Sequence, residues 1–182
     1  MYYAGIIPED TANGPGIRVS LFVSGCVNHC KGCFNREMQN PKFGKPFDKK
    51  AFEKIIEYMK NPLVCGLTIL GGDPCYTRNV DDVLKFILDF KSRMKEENME
   101  DKINIWLYTG YKLETMMAKR SYKRQETRNI IKNVDVVVDG PFMLELKDIS
   151  LQWRGSSNQR IIDIQKTLEK NNVVLWNDGD YK

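Results

Sequence analysis

Histidine is almost absent from this chain, because His29 is the only one among 182 residues. Histidine is the side chain whose ordinary pKa lies closest to neutral pH, so its scarcity leaves little scope for general acid–base catalysis. Long apolar runs are also missing, and runs such as Val134–Val138 fall far short of the roughly 20 residues that a membrane helix needs. The formal net charge of +4 is too small to argue for a nucleic-acid partner.

The chain begins with Met1–Gly5, which lacks the basic and apolar blocks of a signal peptide. With neither a leader nor a membrane span in the pattern, we expect the cytoplasm as its location. Hydrophobic residues make up 42% and charged residues 29% of the chain, which is ordinary for a globular protein. Single domains commonly have about 100–200 residues, so we predict one domain over residues 1–182.

The five cysteines are unevenly distributed. Cys26, Cys30 and Cys33 lie within eight positions, whereas Cys65 and Cys75 stand apart. A secreted disulfide scaffold would be shorter and richer in cysteine, and its cysteines would be even in number. Reduced thiols that bind a metal therefore fit the pattern better. We interpret Cys65 and Cys75 as incidental small thiols, although Cys75 could approach the metal.

Strand and helix patterns alternate along the sequence. Near-continuous apolar strands separated by helices indicate a parallel sheet with helices packed outside it. A full eight-fold barrel typically needs about 250 residues, so we predict an α/β fold, an incomplete TIM-type barrel of about five to six βα units with a mostly parallel sheet. The predicted strands are 18–23, 67–70, 103–108, 134–138, 159–164 and 173–176, and the predicted helices are 48–60, 80–97 and 113–132, the last broken near Ser121.

Four short segments fall at the C-terminal ends of successive predicted strands, where such folds place the reactive site. Cys26 follows the first strand, Gly71-Gly72-Asp73 the second, Thr109-Gly110 the third and Asp139-Gly140 the fourth. We expect the four segments to meet on one face of the fold.

The cysteine loop allows two kinds of metal site. A four-iron cluster usually takes four cysteine ligands, so the three thiols Cys26, Cys30 and Cys33 would leave one iron open to a cofactor or substrate. The alternative is a structural zinc ion that His29 helps to bind. His29 is adjacent to Cys30, and zinc sites usually take ligand pairs from separated segments. The spacing favours the cluster and leaves zinc open.

The pattern Cys-x-x-x-Cys-x-x-Cys followed by an aromatic residue resembles the signature of the radical S-adenosylmethionine superfamily. The chain also resembles, over nearly its whole length, the family of activating proteins of anaerobic ribonucleoside-triphosphate reductase. The late run Trp153–Gln159 narrows the superfamily to this family. The other stretches that carry the resemblance are Asn13–Gly16, Leu21–Cys26, Gly71–Pro74, Trp106–Tyr111 and Val138–Gly140.

This resemblance implies a [4Fe–4S] cluster whose open iron binds the amino and carboxylate groups of S-adenosylmethionine. Phe34 would offer its ring to the adenine, although packing in the core explains it equally well. Asp73 stands where the superfamily has a glutamate that meets the methionine amino group. The implied cluster ligands are Cys26, Cys30 and Cys33, and the implied cofactor contacts are Gly32, Cys33, Phe34, Gly71, Gly72, Asp73, Thr109 and Gly110.

The resemblance further implies an activase. An electron donor such as reduced flavodoxin would reduce the cluster, and the resulting 5′-deoxyadenosyl radical would abstract hydrogen from a glycine in the large catalytic subunit of the reductase. Two alternatives remain: activation of another glycyl-radical enzyme such as pyruvate formate-lyase, and a small zinc-binding interaction module without catalysis. Trp153–Gln159 favours the reductase as the target.

Two further features have both a functional and a structural interpretation. Trp153 and Arg154 belong to residue types that often anchor interfaces, but a buried tryptophan beside a paired arginine is equally consistent with the pattern. A basic stretch fits a solvated helix face better than docking to an acidic partner. It comprises Lys119, Arg120, Lys123, Arg124 and Arg128.

Overall fold

The computed structural model describes residues 1–118 and 124–177. Within them, seven strands form one sheet: β1 (Tyr2–Asp10), β2 (Ile17–Val23), β3 (Lys45–Pro46), β4 (Val64–Gly71), β5 (Ile105–Tyr108), β6 (Val136–Asp139) and β7 (Arg160–Asp163). The α-helices are α1 (Lys49–Met59), α2 (Val80–Glu96), α3 (Leu113–Met117), α4 (Arg124–Lys132) and α5 (Ile164–Lys170). None of these helices combines the length and the apolar character needed to cross a bilayer.

The sheet has the strand order β3-β1-β2-β4-β5-β6-β7. The neighbours β2, β4, β5 and β6 are parallel, whereas β1, β3 and β7 run antiparallel to the strands beside them. Each parallel step crosses through helix, since α1, α2 and the pair α3 and α4 separate the four strands in sequence. The α/β class is confirmed. The parallel part contains four strands, fewer than the five to six units predicted.

The outer strands account for the difference. β7 follows β6 through a connection without an α-helix, and such a connection permits an antiparallel neighbour. β1 lacks the continuous apolar run that is typical of the central strands, and it is only partly buried. The sequence pattern therefore does not predict it as a strand. The predicted strand 173–176 is reduced to a single bridge between Leu175 and Ile162. Residues 164–170 form α5 instead of continuing a strand, and Asp163 caps this helix by accepting a hydrogen bond from the Lys166 N–H.

The first two helices lie close to their predicted positions. α1 begins after Asp48, whose carboxylate accepts a hydrogen bond from the Ala51 N–H at 2.9 Å, as an N-cap residue does. α2 ends at Glu96, one residue before the predicted end. The predicted helix 113–132 appears as α3 and α4, and its predicted break at Ser121 lies outside the described residues.

Alternate residues of the central strands point to opposite faces of the sheet, and each face has its own buried cluster. On the face opposite the helices, the Arg18 guanidinium donates to Thr68 Oγ1 at 2.7 Å and lies 5.5 Å from the Trp106 ring centroid. Trp106 packs there with Trp153 and Trp176. The face that packs against the helices contains Val19, Leu21, Leu67, Ile69, Ile105, Leu107 and Val137.

The pairing of β6 with β7 includes an ion pair in which the Asp139 carboxylate is buried and the Arg160 side chain is 31% exposed. The Arg160 guanidinium donates to Asp139, whose side chain is buried, and to Glu114 at 2.8 Å. We expect Arg160→Met to lower the free energy of unfolding by about 3–5 kcal/mol, because it leaves a buried carboxylate without its cation. Urea denaturation measures this loss. Glu114→Gln is the control: Glu114 is more than half exposed, so we expect a loss of at most about 1 kcal/mol. Equal losses in the two variants would contradict the prediction.

Candidate iron–sulfur and cofactor site

A cavity of about 310 Å³ opens at the C-terminal ends of the four parallel strands. β2, β4 and β5 contribute residues to its lining and Gly140 does so directly after β6, as expected for the site-bearing edge of a parallel sheet. Asp73 and Gly32 are close by, but neither is part of the lining. The sequence-predicted residues in the lining are Cys26, Cys30, Cys33, Phe34, Gly71, Gly72, Thr109 and Gly110, together with Gly140.

The three cysteines of the loop after β2 are free and half-buried, and all border this cavity. Backbone hydrogen bonds hold the loop, including Gly25 N–H to the Met38 carbonyl at 2.7 Å and Cys33 N–H to the Cys30 carbonyl at 3.2 Å. Gly32 has a φ of 72°, a left-handed conformation that glycine adopts without steric cost. The sequence therefore turns sharply enough to present three thiols to one space.

Burial controls the electrostatics of these thiols. Desolvation raises the pKa of Cys26, and the Asn28 N–H, 3.4 Å from the sulfur, partly opposes this. Desolvation also raises the pKa of Cys30, opposed by the backbone N–H of Phe142. Thiols of this kind bind a metal as thiolates, so metal binding releases their protons.

Asp73 is the centre of a buried hydrogen-bond network. Its carboxylate accepts from the Cys75 N–H and the Thr109 hydroxyl at 2.9 Å each, from the Asn28 amide at 3.0 Å and from the Gly110 N–H at 3.1 Å. Burial raises its pKa to about 6, and these hydrogen bonds oppose the rise. Asp73 thus ties the cysteine loop to the end of β5. Contact between its carboxylate and a methionine amino group stays a prediction.

The end of β4, at Gly71 and Gly72, lies in close contact with the cysteine loop. A Cβ atom on Gly72 would lie 2.6 Å from the Gly25 carbonyl oxygen and 2.8 Å from that of Met38. The Asp73 N–H also donates to the Gly25 carbonyl at 2.8 Å. The absence of side chains at these glycines is therefore what allows the two loops to approach each other.

Comparison with known proteins decides the family. The family model described as a 4Fe-4S single cluster domain matches residues 12–162. The anaerobic ribonucleoside-triphosphate reductase-activating protein of Escherichia coli (strain K12) is 38% identical over 161 residues, which are 87% of this chain and 96% of that protein. The proteins of the same name from Enterobacteria phage T4 and Pasteurella multocida (strain Pm70) are 38% and 40% identical, covering 88% of this chain and 93% and 96% of theirs.

The chain belongs to the family of anaerobic ribonucleoside-triphosphate reductase-activating proteins. The resemblance seen in its motifs is thereby confirmed. The match to a single-cluster domain also supports an iron–sulfur cluster in this member of the activating-protein family.

The remaining thiols, Cys65 and Cys75, and the His29 imidazole do not line the cavity. His29 Nδ1 is 3.0 Å from Gln39 Oε1. The Cys65 thiol donates to the Ile17 carbonyl at 3.1 Å, at the start of β2, and Cys75 belongs to the main apolar core. Within residues 1–118 and 124–177, no three His, Cys, Asp or Glu side chains converge tightly enough to hold a single metal ion.

Phe34 is not a core residue, so the interpretation that it packs in the core is wrong. It is 72% exposed, its ring centroid lies 5.5 Å from that of Phe142, and the Lys147 ammonium lies 5.1 Å from it. Trp153 and Arg154, in contrast, both make contacts within the fold. Trp153 is half-buried with its ring centroid 5.7 Å from that of Trp106, and Arg154 donates to the Gln159 carbonyl at 2.8 Å. Both residues of that pair thus have structural contacts.

Three amide side chains have positioning contacts that the sequence patterns do not predict, although Gln159 belongs to the run Trp153–Gln159 that carries the resemblance. Asn28 reaches Asp73, and the Asn35 amide donates to the Gly71 carbonyl at 3.0 Å. Gln159 accepts from the Gly155 N–H at 2.9 Å and donates to the Gly140 carbonyl at 3.1 Å. Asn28 and Asn35 lie in the loop that carries the cysteines, and Gln159 lies directly before β7.

Lys119, Arg120 and Lys123 of the basic stretch lie outside the described residues. Arg128 lies on α4 and donates to the Gln125 amide oxygen at 2.8 Å and to the Ala118 carbonyl at 3.3 Å, as residues of a solvated helix face do.

Proposed function

We propose that this protein is an activase that generates a glycyl radical on the large catalytic subunit of an anaerobic ribonucleoside-triphosphate reductase. The observation that carries the proposal is the group of three half-buried thiols bordering one cavity at the ends of the parallel strands. The single-cluster family match supports the iron–sulfur cluster, and the names of the relatives support the target.

The donor set suits a [4Fe–4S] cluster with one open iron. Cys26, Cys30 and Cys33 supply three thiol ligands, the ligand type that such clusters take. We propose these three as the cluster ligands and S-adenosylmethionine as the cofactor at the open iron. A cavity of about 310 Å³ lies within the range of small-molecule sites. The proposed cofactor contacts are Gly32, Cys33, Phe34, Gly71, Gly72, Asp73, Thr109 and Gly110.

When bound, the cluster and S-adenosylmethionine supply one-electron cleavage of the sulfonium, which yields methionine and a 5′-deoxyadenosyl radical able to take a hydrogen atom from a glycine Cα. The side chains of this chain position the reactants. Asn28 and Asp73 hold the cysteine loop against β5. Gly72 lines the cavity and lets the end of β4 approach the cysteine loop, and the aromatic ring of Phe34 also borders the cavity.

The remaining parts of the proposal concern the surroundings of this site. We propose that the sheet is the wall of an incomplete TIM-type barrel, with helices outside and the cavity opening on the other face. Residues 1–182 would form one radical S-adenosylmethionine domain in the cytoplasm. A reduced flavodoxin would supply the electron. No nucleic acid or membrane enters this proposal.

A transfer experiment tests the function. The reduced protein, S-adenosylmethionine and the reductase subunit are mixed without oxygen, with deuterium on the Cα of the target glycine. We expect a glycyl-radical signal on the subunit by paramagnetic resonance, and deuterium in the 5′-deoxyadenosine. Cleavage without label transfer, and with no radical on the subunit, would point to a small-molecule substrate. Stoichiometric zinc without sulfide would instead support the interaction module.

A further inference from the structure

Exposed apolar side chains concentrate beside the cavity. Large exposed apolar residues scattered singly over a surface are ordinary, but a contiguous group usually marks an interaction site. Ile149 is 91% exposed and Phe34 is 72% exposed. Of the ten large apolar residues exposed in the described part of the chain, six lie on only two segments, the cysteine loop and the connection between β6 and β7. We call these six the rim patch: Val27, Phe34, Met143, Leu144, Leu146 and Ile149.

The two segments touch each other. The Phe34 and Phe142 ring centroids are 5.5 Å apart, and the Lys147 ammonium lies over the Phe34 ring at 5.1 Å from its centroid. A Cβ atom on Gly32 would lie 3.0 Å from Leu144 Cδ1, so the leucine lies directly over the cysteine loop. The two segments that carry the rim patch therefore meet beside the three thiols, at Phe34 and Leu144.

The connection has a defined shape that can carry such a surface. Lys147 and Ser156 form an antiparallel bridge, and the Ser157 N–H donates to the Leu146 carbonyl at 2.9 Å. Asn158 closes its base by donating to the Pro141 carbonyl at 2.8 Å. Residues 143–150, in the first half of this hairpin-like arm, are all exposed.

We propose that the rim patch is the docking surface for the glycine-bearing catalytic subunit, a deepening that rests on the proposed function. A hydrogen atom can be transferred only when the reacting atoms are about 3–3.5 Å apart. The target glycine must therefore enter the cavity mouth, and the protein that presents it must cover the surrounding rim.

The charge of this surface favours a stable apolar contact over transient electrostatic docking. The two segments, residues 24–44 and 140–159, carry four exposed basic and three exposed acidic side chains, so the rim patch has little net field to steer a charged electron donor. Aromatic residues and methionine, here Phe34 and Met143, are enriched at the centres of specific protein interfaces. The exposed charged residues of the two segments are Lys31, Arg36, Lys42, Lys147, Glu37, Glu145 and Asp148.

The test uses Ile149→Asp, because Ile149 lies outside the cavity lining and is too exposed for its replacement to disturb the fold. Leu63→Asp is the matched control, since Leu63 is 67% exposed just before β4, at the opposite end of the sheet. Reconstituted proteins are reduced with dithionite, so that no donor protein is needed. Affinity for the purified subunit, 5′-deoxyadenosine formation without the subunit, and the rate of glycyl-radical formation against subunit concentration are measured.

We expect Ile149→Asp to weaken subunit binding about tenfold or more, which corresponds to losing one buried aliphatic side chain. Radical formation should slow at low subunit concentration and recover at high concentration, while 5′-deoxyadenosine formation without the subunit stays as in the wild type. Ile149→Leu should restore binding, and Leu63→Asp should change nothing.

Unchanged affinity in Ile149→Asp would overturn the proposal. A defect that appears only when flavodoxin replaces dithionite would also overturn it, because the surface would then belong to the electron donor. Wild-type protein that binds the subunit and cleaves S-adenosylmethionine without forming a radical would contradict the proposed function, while the affinity comparison still tests the docking surface.

Discussion

Replacing any one of Cys26, Cys30 or Cys33 with alanine is expected to abolish cleavage of S-adenosylmethionine. Two remaining thiolates cannot hold a [4Fe–4S] cluster in the way that three can, and the cavity offers no histidine or further cysteine as a substitute. Anaerobic reconstitution should give near-background iron, sulfide and visible absorption in each variant. Measurement of 5′-deoxyadenosine after reduction should show none above the level without protein.

Cys65→Ala and Cys75→Ala are the matched controls. The Cys65 thiol is bonded at the far end of the sheet, and Cys75 lies in the apolar core. We expect both variants to load the cluster and cleave the cofactor as the wild type does, with a modest loss of stability for Cys75→Ala, which removes a buried sulfur. A Cys30→Ala protein that cleaves at the wild-type rate would show that the ligands are assigned wrongly.

The sequence allowed the location of the candidate site to be predicted because of one geometrical rule. In a parallel sheet the C-terminal ends of the strands meet at one edge, so Cys26, Gly71 and Thr109 had to come together once their strands were recognised. The hydrogen bond between the side chains of Asp73 and Asn28 does not follow from this rule. Asn28 is 45 positions away from it, and only the packed structure shows that their side chains bond at 3.0 Å.

The parts of the fold that could not be predicted are those with weak local patterns. α1 and α2 are predicted correctly because each has a clear apolar face and recognisable boundaries, and that face is buried in the fold. β1 is half-exposed and mixes residue types, so nothing in its local pattern separates it from a loop. The direction of β7 depends on the connection before it, which the periodicity of its own residues does not report.

Gly72→Val is expected to slow cleavage of S-adenosylmethionine about a hundredfold or more. A Cβ atom there would lie within 2.9 Å of backbone atoms of Gly25 and Met38, and backbone cannot move aside as a flexible side chain does. The Gly25 backbone leads directly into Cys26, so the first thiol would shift, and a misplacement of about 1 Å can cost on the order of a hundredfold in rate. The sequence motif alone predicts that Gly72→Val keeps the visible absorption of the cluster while it loses cleavage. The contact with Gly25 predicts that iron and sulfide content also falls.

Gly5→Val provides the control, because a Cβ atom on Gly5 would have nothing within 4 Å and its backbone needs no left-handed conformation. The two variants add the same side chain to a strand or to its end, but only one adds it against the cysteine loop. We expect Gly5→Val to match the wild type in iron, sulfide and 5′-deoxyadenosine. If Gly72→Val also retains full cluster content and binds S-adenosylmethionine with unchanged affinity, then the end of β4 neither positions the cysteine loop nor borders the cofactor.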